Sequence, residues 1–140
     1  MKNKMCLTFS AKSVNESFAR SVAASFCLQL NPTLEQLNDV KTVVSEAVTN
    51  CIVHAYEGGE GEITLRAEAE GDCLCLEISD QGKGIENIEQ ALQPMFTTRA
   101  DEDRSGMGFT IMEAFSDSLR VEPNTPKGTT VRITKHFNTK

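Results

Sequence analysis

The sequence predicts an α/β (α+β) two-layer sandwich, in which a mixed, mostly antiparallel sheet is covered on one face by helices. Three observations carry this. Residues 13–56 hold two amphipathic stretches, each opening on a Ser/Thr residue with Glu or Gln three positions on. Alternating apolar runs near 62–69 and 73–79 are joined by Glu70-Gly71-Asp72, a tight hairpin signal. Two further short β-rich runs, Leu119–Val121 and Thr129–Thr134, flank a Pro- and Gly-containing turn near the end of the chain.

Taken in order, MCLTFS at 5–10 alternates as a short strand. Ser13 and Glu16 have capping-box spacing and open a helix to about Leu30, with Val14, Phe18, Val22 and Phe26 as its apolar side. Asn31-Pro32 ends it. Thr33 and Gln36 form a second box, and the next helix runs to about Tyr56 on a stripe of Leu34, Leu37, Val40, Val44, Val48 and Ile52. After the hairpin, a helix is expected near 86–92, followed by a polar, charge-rich segment whose length suggests a lid. The last helix is expected from Gly108 to about Ser116. No repeat or domain boundary interrupts the chain, so residues 1–140 read as one domain.

Composition narrows the function classes. The 39% of hydrophobic residues is enough for a packed core, whereas a net charge of −6 argues against a general nucleic-acid binder. No apolar run approaches a membrane span, and the amino terminus lacks a signal-peptide core, so a cytoplasmic chain is expected. The five cysteines are odd in number and lack metal-ligand spacing. They read as small buried hydrophobes in a reducing compartment rather than as disulfides or a zinc site.

Three boxes carry chemistry. In SEAVTN, Glu46 and Asn50 lie four apart and share one face of a helix otherwise rich in valine. A carboxylate there can act as a base, and an amide oxygen can hold a cation. In DQGKGI, Asp80 continues the inward row Leu74, Leu76, Ile78, so its carboxylate needs a donor. Gly82 and Gly84 let bare backbone approach a ligand. In RSGMGF, Gly106 and Gly108 expose N–H groups at a helix start, a phosphate-binding arrangement, with Arg104 near. Arg104 and Arg99 could instead pair with Asp101, Glu102 and Asp103. Lys83 reads as an exposed turn residue, and His54 as structural. Glu16 and Arg20 have the spacing of a surface ion pair.

In this order and at these separations, the boxes resemble the ATP-binding domains shared by gyrase-type topoisomerases, a heat-shock chaperone, mismatch-repair ATPases and histidine kinases. Over nearly its whole length, from MKNKMCLTFSAKSVNESFAR through QPMFTTRADEDRSGMGFTIMEAFSD to GTTVRITKH, the chain is similar to the bacterial anti-sigma F factors. Those are serine kinases that hold a sporulation sigma factor inactive. The resemblance implies a Bergerat-type fold with ATP between the helices and the lid, and Mg2+ bound through Asn50. Glu46 would act on the attacking hydroxyl, and Asp80 would accept from the adenine amino group. Thr97, Thr98, Arg104, Ser105, Gly106, Met107 and Gly108 would surround the phosphates. One threonine of Gly128-Thr129-Thr130, taken as Thr130, would complete the adenine pocket; strand alternation alone does not choose between the two.

The implied partners are a sigma factor, a small anti-anti-sigma protein phosphorylated on serine, and a second copy of the chain, with Arg20 a candidate contact. A related stress-pathway kinase and an ATP-gated binding module without phosphate transfer are the rival readings. Glu46 favours an enzyme, because a pure binding module has no need of it.

Overall fold

The computed structural model describes residues 2–84 and 108–137. Strict alternation at Ile63, Leu65, Ala67 and Ala69 makes residues 62–70 half-buried, and the same pattern at Leu74, Leu76 and Ile78 does so for 73–80. Strand β2 (Glu62–Glu70) and strand β3 (Cys73–Asp80) therefore pair around the two residues Gly71-Asp72. Strand β1 (Lys2–Ser10) adds to the free side of β2. Strand β4 (Ser118–Pro123) and strand β5 (Thr129–His136) complete a five-stranded sheet of order β1-β2-β3-β5-β4. Every pairing is antiparallel, so among the described residues the sheet lies at the antiparallel end of the predicted range.

The helices cover one face. Helix α1 (Val14–Cys27) runs into a 3-10 turn (Leu28–Leu30), and helix α2 (Leu34–Asn50) runs into a π turn (Cys51–Ala55). Helix α3 (Gly108–Ala114) packs beside α2. Val40, Val43, Val44, Ala47 and Val48 of α2 meet the inward sheet residues in one core, closed by Met112 and Phe137. Full burial of a side chain such as Ile63 or Leu65 contributes about 1.5–3 kcal/mol. The opposite sheet face is polar. A ladder of ion pairs crosses it from Arg66 through Glu77 and Arg132 to Glu122.

Three local expectations are corrected. The Thr33–Gln36 box forms with both bonds, but Ser13 makes no side-chain cap. Glu16 is recruited instead by Ser45 on α2 and by Arg20, 3.3 Å away. The buried face of α1 is Ala19, Ala23, Ala24 and Cys27; of the expected row, Phe26 packs partly buried against the core, whereas Val14 and Phe18 are exposed. Small residues let α1 approach the layer closely, which turns its larger residues outward. Leu34 is likewise exposed at the start of α2.

Of the cysteines, Cys27 and Cys51 are buried, Cys73 is half-buried, and Cys6 and Cys75 are exposed on the outer sheet face. All five are free thiols, and no side-chain cluster suited to a metal occurs among the described residues. No described helix is long and apolar enough to cross a membrane.

Candidate active site

Asp80 ends β3 in the inward phase, opposite Ile63 on β2, and only 4% of its surface is exposed. Its oxygens are used unequally. Oδ1 accepts from the Gly82 N–H at 2.9 Å and the Thr129 N–H at 3.3 Å. Among the described residues, Oδ2 has one partner, the Cys51 thiol at 3.5 Å. A thiol is a weak donor, so Oδ2 retains acceptor capacity toward a ligand. Burial pushes the Asp80 carboxyl above its ordinary value, opposed by the Gly82 N–H, the thiol and the Thr129 N–H. Burial and the neighbouring carboxylate push Cys51 well up, so the thiol keeps the proton it donates to Asp80.

The turn after Asp80 is enclosed by backbone. A Cβ on Gly82 would lie 2.3 Å from the Ala55 carbonyl oxygen. A Cβ on Gly128, whose φ is +106°, would lie 2.1 Å from the Asp80 carbonyl oxygen. Only glycine fits at either position. The π turn delivers the Ala55 carbonyl to this place, where it accepts from the Lys83 N–H at 3.0 Å. Just beyond it, the Tyr56 hydroxyl accepts from the Gln81 N–H and donates to the Glu62 carbonyl, both at 2.7 Å. Burial raises the Tyr56 phenol, which keeps that donor protonated.

Helix α2 brings Glu46 and Asn50 to the same side. The amide nitrogen of Asn50 is buried and has no hydrogen-bond partner among the described residues. That nitrogen is a donor, so an acceptor such as a phosphate oxygen would complete it, while the amide oxygen is the atom able to hold a cation. One amide oxygen fits a Mg2+ ion that arrives with phosphates and water, the ordinary way this ion is held, and does not suit an all-protein metal cage. Glu46 lines a cleft of about 550 Å3 between α1 and α2, shared with Arg20, Ser21, Asn38, Lys41, Thr42 and Ser45. The structure thus places Glu46 and Arg20 on one cleft. Asp80 meets the Cys51 end of the same helix.

Thr130, the threonine assigned to the pocket, faces the other way. It pairs with Ser79, one step out of phase with Asp80, and its hydroxyl bonds to Ser79 and Asn124 on the outer side of the sheet. Thr129 is in phase with Val131 and Ile133, and its N–H reaches Asp80. Asn124 ties the β4–β5 turn down by donating to the Asp80 carbonyl at 2.7 Å.

Gly84, at φ +82°, packs against Gly128. Lys83 is paired with Glu57 on the surface, and His54 sits in the π turn. Gly108 begins α3. Thr97, Thr98, Arg99, Arg104, Ser105, Gly106 and Met107, with the helix expected near 86–92 and the lid, lie outside the described residues. Sequence reasoning missed Cys51, Tyr56 and Asn124. The apolar phase of Cys51 beside Asn50 was the only signal for any of them.

Residues 9–135 match the family model of the histidine kinase-like ATPase domain. An anti-sigma F factor of Caldanaerobacter subterraneus is 57% identical over 135 residues, covering 96% of this chain and 94% of that protein. The anti-sigma F factor of Bacillus subtilis is 51% identical, covering 99% of this chain and 95% of its own length. Among solved structures, the RsbU and RsbW domains of a Mycobacterium tuberculosis protein superpose with a TM-score of 0.69 at 18% identity. That match covers 96% of this chain and 32% of the other. The catalytic domain of the histidine kinase ThkA superposes with a TM-score of 0.61 at 16% identity, covering 95% of this chain and 96% of the other. The fold is that of the histidine kinase-like ATPases, and within them the chain belongs to the anti-sigma F factor family.

Proposed function

We propose that this chain is an anti-sigma factor that binds a sporulation sigma factor and is also an ATP-dependent serine kinase. Its protein substrate is a small anti-anti-sigma antagonist, and its working form is a homodimer in the cytoplasm. Relatives of 51–57% identity over nearly their full length support the anti-sigma half. The observation that carries the kinase half is the position of Glu46. It lies one helical turn before Asn50, whose buried amide nitrogen has no partner among the described residues, and it lines the cleft between α1 and α2.

When bound, MgATP supplies the transferable phosphoryl group and the cation that offsets its charge. Oδ2 of Asp80 accepts from the 6-amino group of adenine, while Gly82 and Gly128 keep the turn narrow enough to lie against the base. Asn50 offers its amide oxygen to the cation. Glu46 would accept the proton of the serine hydroxyl as its oxygen bonds to the γ-phosphorus and the bond from that phosphorus to the bridging oxygen of the departing ADP breaks. Arg20, on the cleft and paired with Glu16, is a partner contact. Phosphate labelling of the antagonist tests this: with MgATP, label should appear on serine with the parent chain and be lost with Glu46→Gln. A chain that binds ATP and the sigma factor but never labels the antagonist would be a nucleotide-gated binding module instead.

A further inference from the structure

The β2–β3 ladder stops one step short of where its register would carry it. Ile63 and Asp80 are its last pair, and the next would be Glu62 with Gln81. In place of a direct bond between them, the Tyr56 hydroxyl takes the Gln81 N–H and gives its own proton to the Glu62 carbonyl, each at 2.7 Å. An oxygen atom is thus inserted between two strands that would otherwise continue to zip. The insertion is built on three sides. The π turn fixes the Tyr56 backbone through its N–H to the Cys51 carbonyl. Gly61 is bare because a Cβ there would lie 2.3 Å from the phenol ring. Lys83 closes the turn on Ala55.

We propose that Tyr56 is a positioning residue for base recognition. Its hydroxyl holds the two strands apart, so that Asp80 and Gly82 turn toward the helix layer and present Oδ2 of Asp80 to a 6-aminopurine. The inference rests on the reading of Asp80 as the adenine acceptor. Tyr56 touches no ligand and acts through the turn. Without the hydroxyl, Glu62 and Gln81 can bond directly, the ladder lengthens by one rung, and the Gly82 N–H is drawn off the carboxylate.

The test compares ATP with purine riboside triphosphate, which lacks the 6-amino group, by calorimetric titration of the parent and of Tyr56→Phe, which keeps the ring over Gly61. The parent should prefer ATP. In Tyr56→Phe, ATP should weaken by roughly 3–10-fold, the worth of one hydrogen bond. Purine riboside triphosphate should change by less than about 2-fold. In the nucleotide-free variant, the Gly82 amide proton resonance should move upfield as its bond to the carboxylate is lost. Equal weakening of both nucleotides, or unchanged Gly82 and Thr129 amide resonances, overturns the proposal. A parent that does not distinguish the two nucleotides overturns the adenine reading itself, and this inference with it.

Tyr56 is the only tyrosine in the chain, so biosynthetic 3-fluorotyrosine labels it alone and keeps the hydroxyl. If Tyr56→Phe does not fold, this label gives the answer. The fluorine resonance should move more with ATP than with purine riboside triphosphate, and equal movement with both counts against the proposal.

Discussion

Cys51 and Asp80, 29 positions apart in the chain, meet across the helix–sheet interface with the thiol donating to Oδ2 of the carboxylate. This contact is the joint between the layer that carries Glu46 and Asn50 and the strand that carries the base acceptor. It also leaves Oδ2 the less satisfied oxygen of a buried charge.

Asp80→Asn should therefore weaken ATP binding by about 2–4 kcal/mol, through loss of a charge-assisted bond and the chance of a donor facing the adenine amino group. The fold should survive, because an amide oxygen can still accept from Gly82 and Thr129. Calorimetry beside a thermal melt checks this. Parent-like ATP affinity in a folded variant would remove Asp80 from the base site.

The raised carboxyl of Asp80 sets a pH dependence. The folded chain holds this proton more tightly than the unfolded one. The associated stability is fully present below the ordinary aspartate value and is lost as pH rises through the folded value. Nucleotide binding runs the opposite way, since only the ionised form accepts without competition. ATP affinity should fall on acidification at a pH above the ordinary aspartate range. In Asp80→Asn, that acid limb should disappear. Titrations at a series of pH values read both.

Asn50 and Glu46 should separate kinetically. Asn50→Ala should weaken MgATP binding and phosphoryl transfer together. Glu46→Gln should leave nucleotide binding nearly unchanged and slow transfer by ~10²–10⁴-fold, the worth of a positioned base. Binding of the sigma factor should persist in Glu46→Gln, because that surface does not need the chemistry. Single-turnover transfer at the parent rate in Glu46→Gln would exclude Glu46 as the base.

Gly128→Ala should be among the most damaging single-methyl additions. At φ +106°, with a backbone oxygen 2.1 Å from the new atom, strain alone costs about 1–3 kcal/mol before the β4–β5 turn shifts. Denaturant unfolding should show the loss of stability, and nucleotide affinity should fall with it, since Asp80 is the residue displaced. Gly58→Ala is the control: it also has positive φ, but open space around it, and should lose stability without losing affinity.

What the sequence disclosed follows the range of each interaction. The Thr33–Gln36 box was legible because both partners lie within one turn. The Ser13–Glu16 box was not, because Ser45 competes for Glu16 from another helix. Alternation along β2 and β3 identified the inward rows and placed Asp80 among them. The same rule could not orient Thr129 and Thr130, which stand at the first residues of their strand. The apolar face of α1 was misread because close helix packing favours Ala19 and Ala23 over the bulkier Val14 and Phe18. Tyr56 carried no signal, since its role exists only where two strands distant in sequence converge on its hydroxyl.

The π turn also gives this end of α2 slack in length. Such a turn accommodates one residue more than an α-helical path over the same rise. Deleting a single residue between Ile52 and Ala55 would let the helix run on in regular form, with Glu46 and Asn50 undisturbed and Tyr56 arriving near its present phase. A deletion within the regular part of α2 has no such slack. Every residue after it would arrive rotated by roughly 100° about the helix axis. The phenol would then swing out of line with Gln81, and the Ala55 carbonyl would leave Lys83.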